Sequence, residues 1–116
     1  MKHKPLLPSL REKKRYLVYE VISDNDFDAL AVNGKIVDNF EEIFGAKGAA
    51  DAGLIFPKDS FNKMSMKGFV RVSNTSLDEL RASFVFILDI MGKKAIVRSV
   101  IASGMINRAQ EIVSAS

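Results

Sequence analysis

The side chains in this sequence whose type and spacing suit chemistry are cationic. Arg11, Lys13, Lys14 and Arg15 run without a break into Tyr16–Ile22, a stretch of aromatic and β-branched residues that favours a pleated strand. A second group follows in Lys67-Gly68-Phe69-Val70-Arg71, where alternation puts Lys67, Phe69 and Arg71 on one face and Gly68 and Val70 on the other. Arg98 stands in a later apolar run, and Ser103-Gly104 precedes a helical pattern that carries Arg108. Lys and Arg in such places suit phosphates, because neutralising a polyanion releases its condensed counterions and drives binding without reading base sequence. The free N–H groups and dipole of a helix start also favour an anion, so Ser103 and Gly104 either cap the helix or hold a phosphate. Phe69 offers a face on which a base stacks, or a ring to pack inside the fold. Basic residues beside a strand also serve solubility alone, and that reading stays open.

Covalent and metal chemistry find no such support. The sequence has no cysteine, which excludes disulfides, thiolate ligands and a cysteine nucleophile. Its one histidine, His3, has no second histidine or cysteine with which to hold an ion. There is no glycine-rich phosphate loop and no serine in a nucleophile elbow. Asp24, Asp26 and Asp28 alternate, but the rest of a calcium loop is missing, and carboxylates at a helix start are favoured in their own right. The expectation is no catalytic residue, no metal and no cofactor bound by this chain.

These residues need elements to position them. Residues 1–10, with Pro5 and Pro8 and no periodicity, are expected to be a flexible arm, and 11–116 a single domain. A strand over about 15–22 leads through Ser23–Asp26, which carry helix-start chemistry, to an apolar stripe of Leu30, Ile36, Val37, Phe40, Ile43 and Phe44 at helical spacing. Asn33-Gly34 predicts a kink or a new start inside that helix, since glycine costs about 1 kcal/mol there relative to alanine. Gly45–Gly53 reads as a loose, alanine-rich connection with short helical content, and Leu54–Phe56 as a brief strand stopped by Pro57. Alternation from Lys63 to Ser73 predicts a longer strand. Ser76-Leu77-Asp78-Glu79 has the form of a capping box, opening a helix to Met91 with Gly92 as its C-terminal cap. A strand over about 94–102 and a short helix after Ser103 complete the chain.

The charges are segregated along these elements. Residues 1–15 carry six Lys or Arg against one Glu, a net of +5, whereas 24–59 carry eight acids against three Lys, a net of −5. Residues 60–116 return to a net of +4. An acidic middle between basic ends fits nucleic acid at the basic parts and a protein partner at the acidic part. At 116 residues, with 47% hydrophobic and 27% charged, the chain has the composition of one folded domain. No apolar run approaches the roughly 20 residues that span a bilayer, and Met1–Leu10 lacks the core of a signal peptide, so an intracellular protein is expected.

Strand, helix, strand, strand, helix, strand and a tail helix is the split βαβ order of a ferredoxin-like α+β sandwich, βαββαβ with a C-terminal helix. The RNA-recognition motif uses this arrangement and stacks bases on aromatics of the open sheet face. Lys67-Gly68-Phe69-Val70 matches the start of its third-strand signature but lacks the second aromatic.

The segments REKKRYLVYEV, KGFVRVS and VRSVIASGMINRAQ together resemble the archaeal-type ribonuclease P protein component 2 family, which is shared with a eukaryotic subunit of the same enzyme. The resemblance covers most of Arg11–Gln110 and is weakest between about Asp24 and Lys63. In that family the end of the fourth strand usually reads Ser-Gly-Thr-Ile-Lys. Ser103, Gly104 and Ile106 match, whereas Met105 and Asn107 replace the hydroxyl and the cation. The resemblance implies an accessory subunit of a cytoplasmic ribonucleoprotein that removes the 5′ leader from precursor tRNA. In such an enzyme the RNA, with Mg²⁺, performs the hydrolysis. It further implies ribonuclease P RNA and protein component 3 as partners, self-association, and no membrane. RNA contacts are then expected at Lys13, Lys14, Arg15, Lys67, Phe69, Arg71, Arg98, Ser103, Gly104 and Arg108. The alternative is a ferredoxin-like oligomerisation or ligand-sensing module without RNA affinity.

Overall fold

Tyr16–Ile22 become the strand on which the sheet is built. A computed structural model describes residues 13–115, in the order β1 (Lys14–Ile22), α1 (Ala29–Ala52), β2 (Phe61–Asn62), β3 (Lys67–Ser73), α2 (Leu77–Ser83), β4 (Asp89–Ile90), β5 (Lys93–Lys94), β6 (Ile96–Ser103) and α3 (Ile106–Ser114). The arm expected over 1–10, His3 and Arg11 lie outside the described residues. β1 pairs antiparallel with β3 and with β6, and β2 lies beyond β3, giving a four-stranded sheet in the order β2-β3-β1-β6. With α1 and α2 on one face, this is the ferredoxin-like α+β arrangement.

Alternation along β1 divides its side chains between two cores. Leu17, Tyr19 and Val21, with Val70, Val72 and Val97 of the neighbouring strands, meet Val32, Ile36 and Phe40 on α1 and Leu80 on α2. Val18 points the other way with Phe69, and α3 closes over both through Ala109 and Val113. Each such fully buried aliphatic or aromatic side chain contributes about 1.5–3 kcal/mol of transfer free energy, so both faces of the sheet hold elements in place.

Three elements differ from the sequence reading, each for a tertiary reason. α1 starts at Ala29 behind Asp28, whose carboxylate accepts from Ala31 N at 2.9 Å, and runs through Gly34 without a kink. Gly34 is exposed, and the burial of Val32, Ile36 and Phe40 outweighs its propensity cost of about 1 kcal/mol. The break comes at Gly45, the expected start of the connection, at φ 78° and ψ 174°. After it the chain resumes a helix that brings Ala49 and Ala52 onto the core and ends at Gly53, left-handed at φ 58°.

The second predicted helix is cut short. Ser76 makes no capping bond, so the capping box does not form, and a 3₁₀ turn over Asn74–Ser76 leads straight into α2. α2 ends at Ser83, and another 3₁₀ turn, Phe84–Phe86, passes to an extended Ile87. Met91 and Gly92 both have positive φ, 54° and 77°, which makes them the turn of the β4–β5 hairpin rather than a helix cap. Phe84–Leu88 is neither helix nor strand: a 3₁₀ turn over Phe84–Phe86 is followed by an extended Ile87, and the strand begins only at Asp89.

The second strand also lies elsewhere. Leu54–Phe56 contributes a single bridge, Ile55 to Arg71, while β2 forms at Phe61–Asn62, and Lys63–Met66 is the turn into β3.

Candidate nucleic-acid interface

Strand register decides which of the predicted residues meet. Tyr16 of β1 stands opposite Arg71 on β3 and Ser103 on β6; Val18 opposite Phe69 and Ile101; Glu20 opposite Lys67 and Arg98. These three rows cross the face that α3 covers. α3 leaves β6 after Ser103-Gly104 and ends beside β2, where the Val113 carbonyl accepts from Asn62 Nδ2 and Ser65 Oγ, each at 3.0 Å. It therefore runs diagonally over the middle row and leaves a polar row open on either side.

The middle row removes one candidate. Phe69 is 1% exposed, packed under Ala109 and Val113 and edge-on to Tyr16 with ring centroids 6.0 Å apart. A base cannot reach its ring, because the apolar face of α3 already fills the space a stacked base would need. Of the two uses open to it, Phe69 takes packing.

The first row joins the start of β1 at one end of the sheet. The Lys13 carbonyl accepts from Asn74 N at 2.7 Å, and Arg15 Nε donates to Asn74 Oδ1 at 3.1 Å. Arg15 Nη1 lies 2.9 Å from the point a Cβ on Gly104 would occupy, which places the guanidinium against the β6–α3 connection. Lys14 Nζ lies 3.9 Å from the equivalent point at Gly53. Ser103 does not cap α3: its Oγ accepts from Met105 N at 3.0 Å, closing a turn ahead of the helix, and no side chain caps the first turn. Arg108 is exposed in that first turn. Arg71 is half-buried with its Nε buried and lacking an acceptor. An unmet donor on a charged group is costly, and an anion at its outer nitrogens would balance the charge though not that donor.

The third row is different in charge. Arg98 Nε donates to Glu20 Oε1 at 2.8 Å, and Lys67 stands directly opposite the same carboxylate. Arg98 is more than half exposed, so the pair adds under about 1 kcal/mol of stability, but it offsets the positive potential that a phosphate would meet.

Seven of the ten predicted residues thus gather at one end, Lys13, Lys14, Arg15, Arg71, Ser103, Gly104 and Arg108. Lys67 and Arg98 lie at the other end, on either side of Glu20, which accepts from Arg98. Asn74, which orders Lys13 and Arg15, was invisible in the sequence because it belongs to no motif; Tyr16 and Glu20 acquire their roles only through register. Among the described residues no group of three or more His, Cys, Asp or Glu could hold a metal ion, and no helix is long and apolar enough to cross a membrane.

The model of the Rpp14/Pop5 family matches residues 15–114 of this sequence. The chain belongs to this family. Among similar curated proteins, ribonuclease P protein component 2 of Pyrococcus abyssi is 33% identical over 111 residues, covering 96% of this chain and 92% of that one. The protein of the same name from Thermococcus gammatolerans is 36% identical over 110 residues, 93% of this chain and 90% of its own. That of Methanosarcina mazei is 31% identical over 108 residues, again covering 93% and 90%. A chain in the cryo-EM structure of yeast ribonuclease MRP superposes with a TM-score of 0.61 over 81% of this chain and 76% of that one, at 12% identity, which shows the shared fold. The family read from REKKRYLVYEV, KGFVRVS and VRSVIASGMINRAQ is the one that residues 15–114 match.

Proposed function

We propose that this chain is a protein subunit of ribonuclease P, an accessory that supports the catalytic RNA in removing the 5′ leader from precursor tRNA. The observation that carries this reading is the gathering of five cations at the β1 end of the sheet, Lys13, Lys14, Arg15, Arg71 and Arg108, in a chain whose relatives are named ribonuclease P protein component 2. Their work is electrostatic. Lys and Arg laid along RNA phosphates release counterions and lower the repulsion between packed helices, holding the RNA in its active shape. Mg²⁺ bound by that RNA supplies the hydrolytic chemistry, and this chain contributes no catalytic group. Its partners are ribonuclease P RNA, protein component 3 and a further copy of itself, with precursor tRNA met through the holoenzyme in the cytoplasm.

Affinity for the cognate ribonuclease P RNA, measured across a potassium chloride series, tests which cations serve. Arg15→Ala and Arg71→Ala should each lower the slope of log affinity against log salt by about one counterion. Arg98→Ala should lower it by less, because Glu20 already offsets that charge. Equal effects at both ends, or none at Arg71, would contradict the assignment.

A further inference from the structure

The reach of Arg15 is set by residues on both sides of β1. Its Nε donates to Asn74 Oδ1 at 3.1 Å, in the turn that joins β3 to α2, and its Nη1 lies against Gly104 in the turn that joins β6 to α3. The side chain is half-buried, and among the described residues no carboxylate pairs with it. A free arginine samples many rotamers, and ordering one when a ligand binds costs affinity. The bond at Nε orders this one in advance. It takes one of the five guanidinium N–H groups and leaves the four on the outer nitrogens for a phosphate.

Asn74 is itself held firmly. Its N–H donates to the Lys13 carbonyl at 2.7 Å and its carbonyl accepts from Leu77 N, so its backbone is tied both to the start of β1 and to the start of α2. Ser73 before it is fully buried, pairs with Lys14 in the ladder, and sets its Oγ 3.0 Å from Thr75 Oγ1. The Asn74 side chain, by contrast, is exposed. Its chemistry is what distinguishes this arginine from the other one fixed by a partner on the sheet. Glu20 holds Arg98 by the same Nε atom, at 2.8 Å, and offsets its charge. An amide oxygen orients a guanidinium equally well and leaves the full positive potential to meet a phosphate.

We infer that Asn74 is a positioning residue for RNA binding, which holds Arg15 by Nε without neutralising it and so presents a preset cation to a phosphate. Taking ribonuclease P RNA as the ligand rests on the function proposed above. The test is affinity for the cognate ribonuclease P RNA across a potassium chloride series. Asn74→Ala keeps both backbone bonds of the turn and should melt within about 3 °C of the wild type. It should weaken binding about 2- to 10-fold at every salt concentration, the cost of ordering a side chain that is no longer held. The slope against salt should stay at the wild-type value, because no charge is lost. Made on top of Arg15→Ala, the same substitution should change affinity by less than about 2-fold, since the group it positions is gone. Asn74→Asp retains the acceptor but adds a carboxylate, and should lower the slope by about one counterion, as Arg15→Ala does.

An Asn74→Ala protein that binds as tightly as the wild type overturns the inference. So does a loss that persists in full without Arg15, the mark of a structural role or of direct contact between Asn74 and RNA. Asn74→Asp with the wild-type slope overturns it as well. Each of these outcomes leaves the ribonuclease P reading standing, whereas a wild type with no affinity for the RNA overturns that reading and this inference with it.

Discussion

Phe69 separates a fold that holds an aromatic from a surface that uses one, and replacing it distinguishes them. Phe69→Ala removes a ring that is 1% exposed and leaves a void between β3 and α3. A buried Phe→Ala change costs about 3–5 kcal/mol, which in a domain of this size lowers Tm on the order of 15 °C. The damage should fall first on α3, which is held over the sheet by Ala109, Val113 and the two bonds to the Val113 carbonyl. Amide exchange in Ile106–Ser114 should accelerate well before that in β1. Phe69→Leu keeps an apolar side chain in place and costs on the order of 1 kcal/mol, so it tests the ring itself in a folded protein. If Phe69 only packs, the Leu variant binds ribonuclease P RNA as the wild type does. Base stacking on an aromatic is worth about 1–3 kcal/mol, so loss of it would weaken binding roughly 5- to 150-fold. A loss of that size in Phe69→Leu, with Tm and α3 exchange preserved, would refute the packing account and require α3 to leave the sheet when RNA binds.

Gly34 lies inside α1 with open space where a side chain would stand, so Gly34→Ala should stabilise the protein by about 0.5–1 kcal/mol in urea unfolding. Gly68→Ala should do the reverse, costing about 1–3 kcal/mol by overpacking: its Cβ would stand 2.6 Å from Tyr19 Oη and 2.9 Å from Phe61 Cδ1. Tyr19 cannot yield easily, because its hydroxyl donates to Asn33 Oδ1 at 2.7 Å and its ring stacks on Phe61. Burial also raises the pKa of Tyr19 well above that of a free phenol. The folded state therefore keeps a proton that the unfolded state releases, and this contribution is complete below about pH 10 and is lost as pH rises beyond it. Stability measured against alkaline pH should fall on that side, and Tyr19→Phe should make the decline shallower.

Much of the architecture was legible because it depends on local pattern. The strand expected over 15–22 is Lys14–Ile22, the one expected over 94–102 is Ile96–Ser103, and the tail helix begins three residues after Ser103. The misreadings share a cause. The connection expected from Gly45 does open with a break in the helix, whereas the kink expected at Gly34 is absent because burial of Val32, Ile36 and Phe40 carries the helix through it. Phe84–Leu88 fits both a helix and a strand by pattern and becomes neither, and the turn at Met91-Gly92 is recognisable only once β4 and β5 are seen to pair.

The interface was half legible. Residue type marked the cations, but a cation's usefulness depends on what stands across the strand. Arg71 faces Tyr16 while Arg98 faces Glu20, and no spacing within either segment reveals that. Asn74 orders Lys13 and Arg15 from a distance of some sixty residues, which is a property of the β1–β3 register alone.

The central claim is most directly tested by reconstitution. Cleavage of a precursor tRNA by the cognate ribonuclease P RNA is measured at low Mg²⁺ with component 3 present, with and without this protein. The account predicts a clear gain in 5′-leader removal on adding the wild type, and a smaller gain with a combined Arg15→Ala, Arg71→Ala variant. No gain at any Mg²⁺ concentration, with the protein folded and component 3 active, would contradict it.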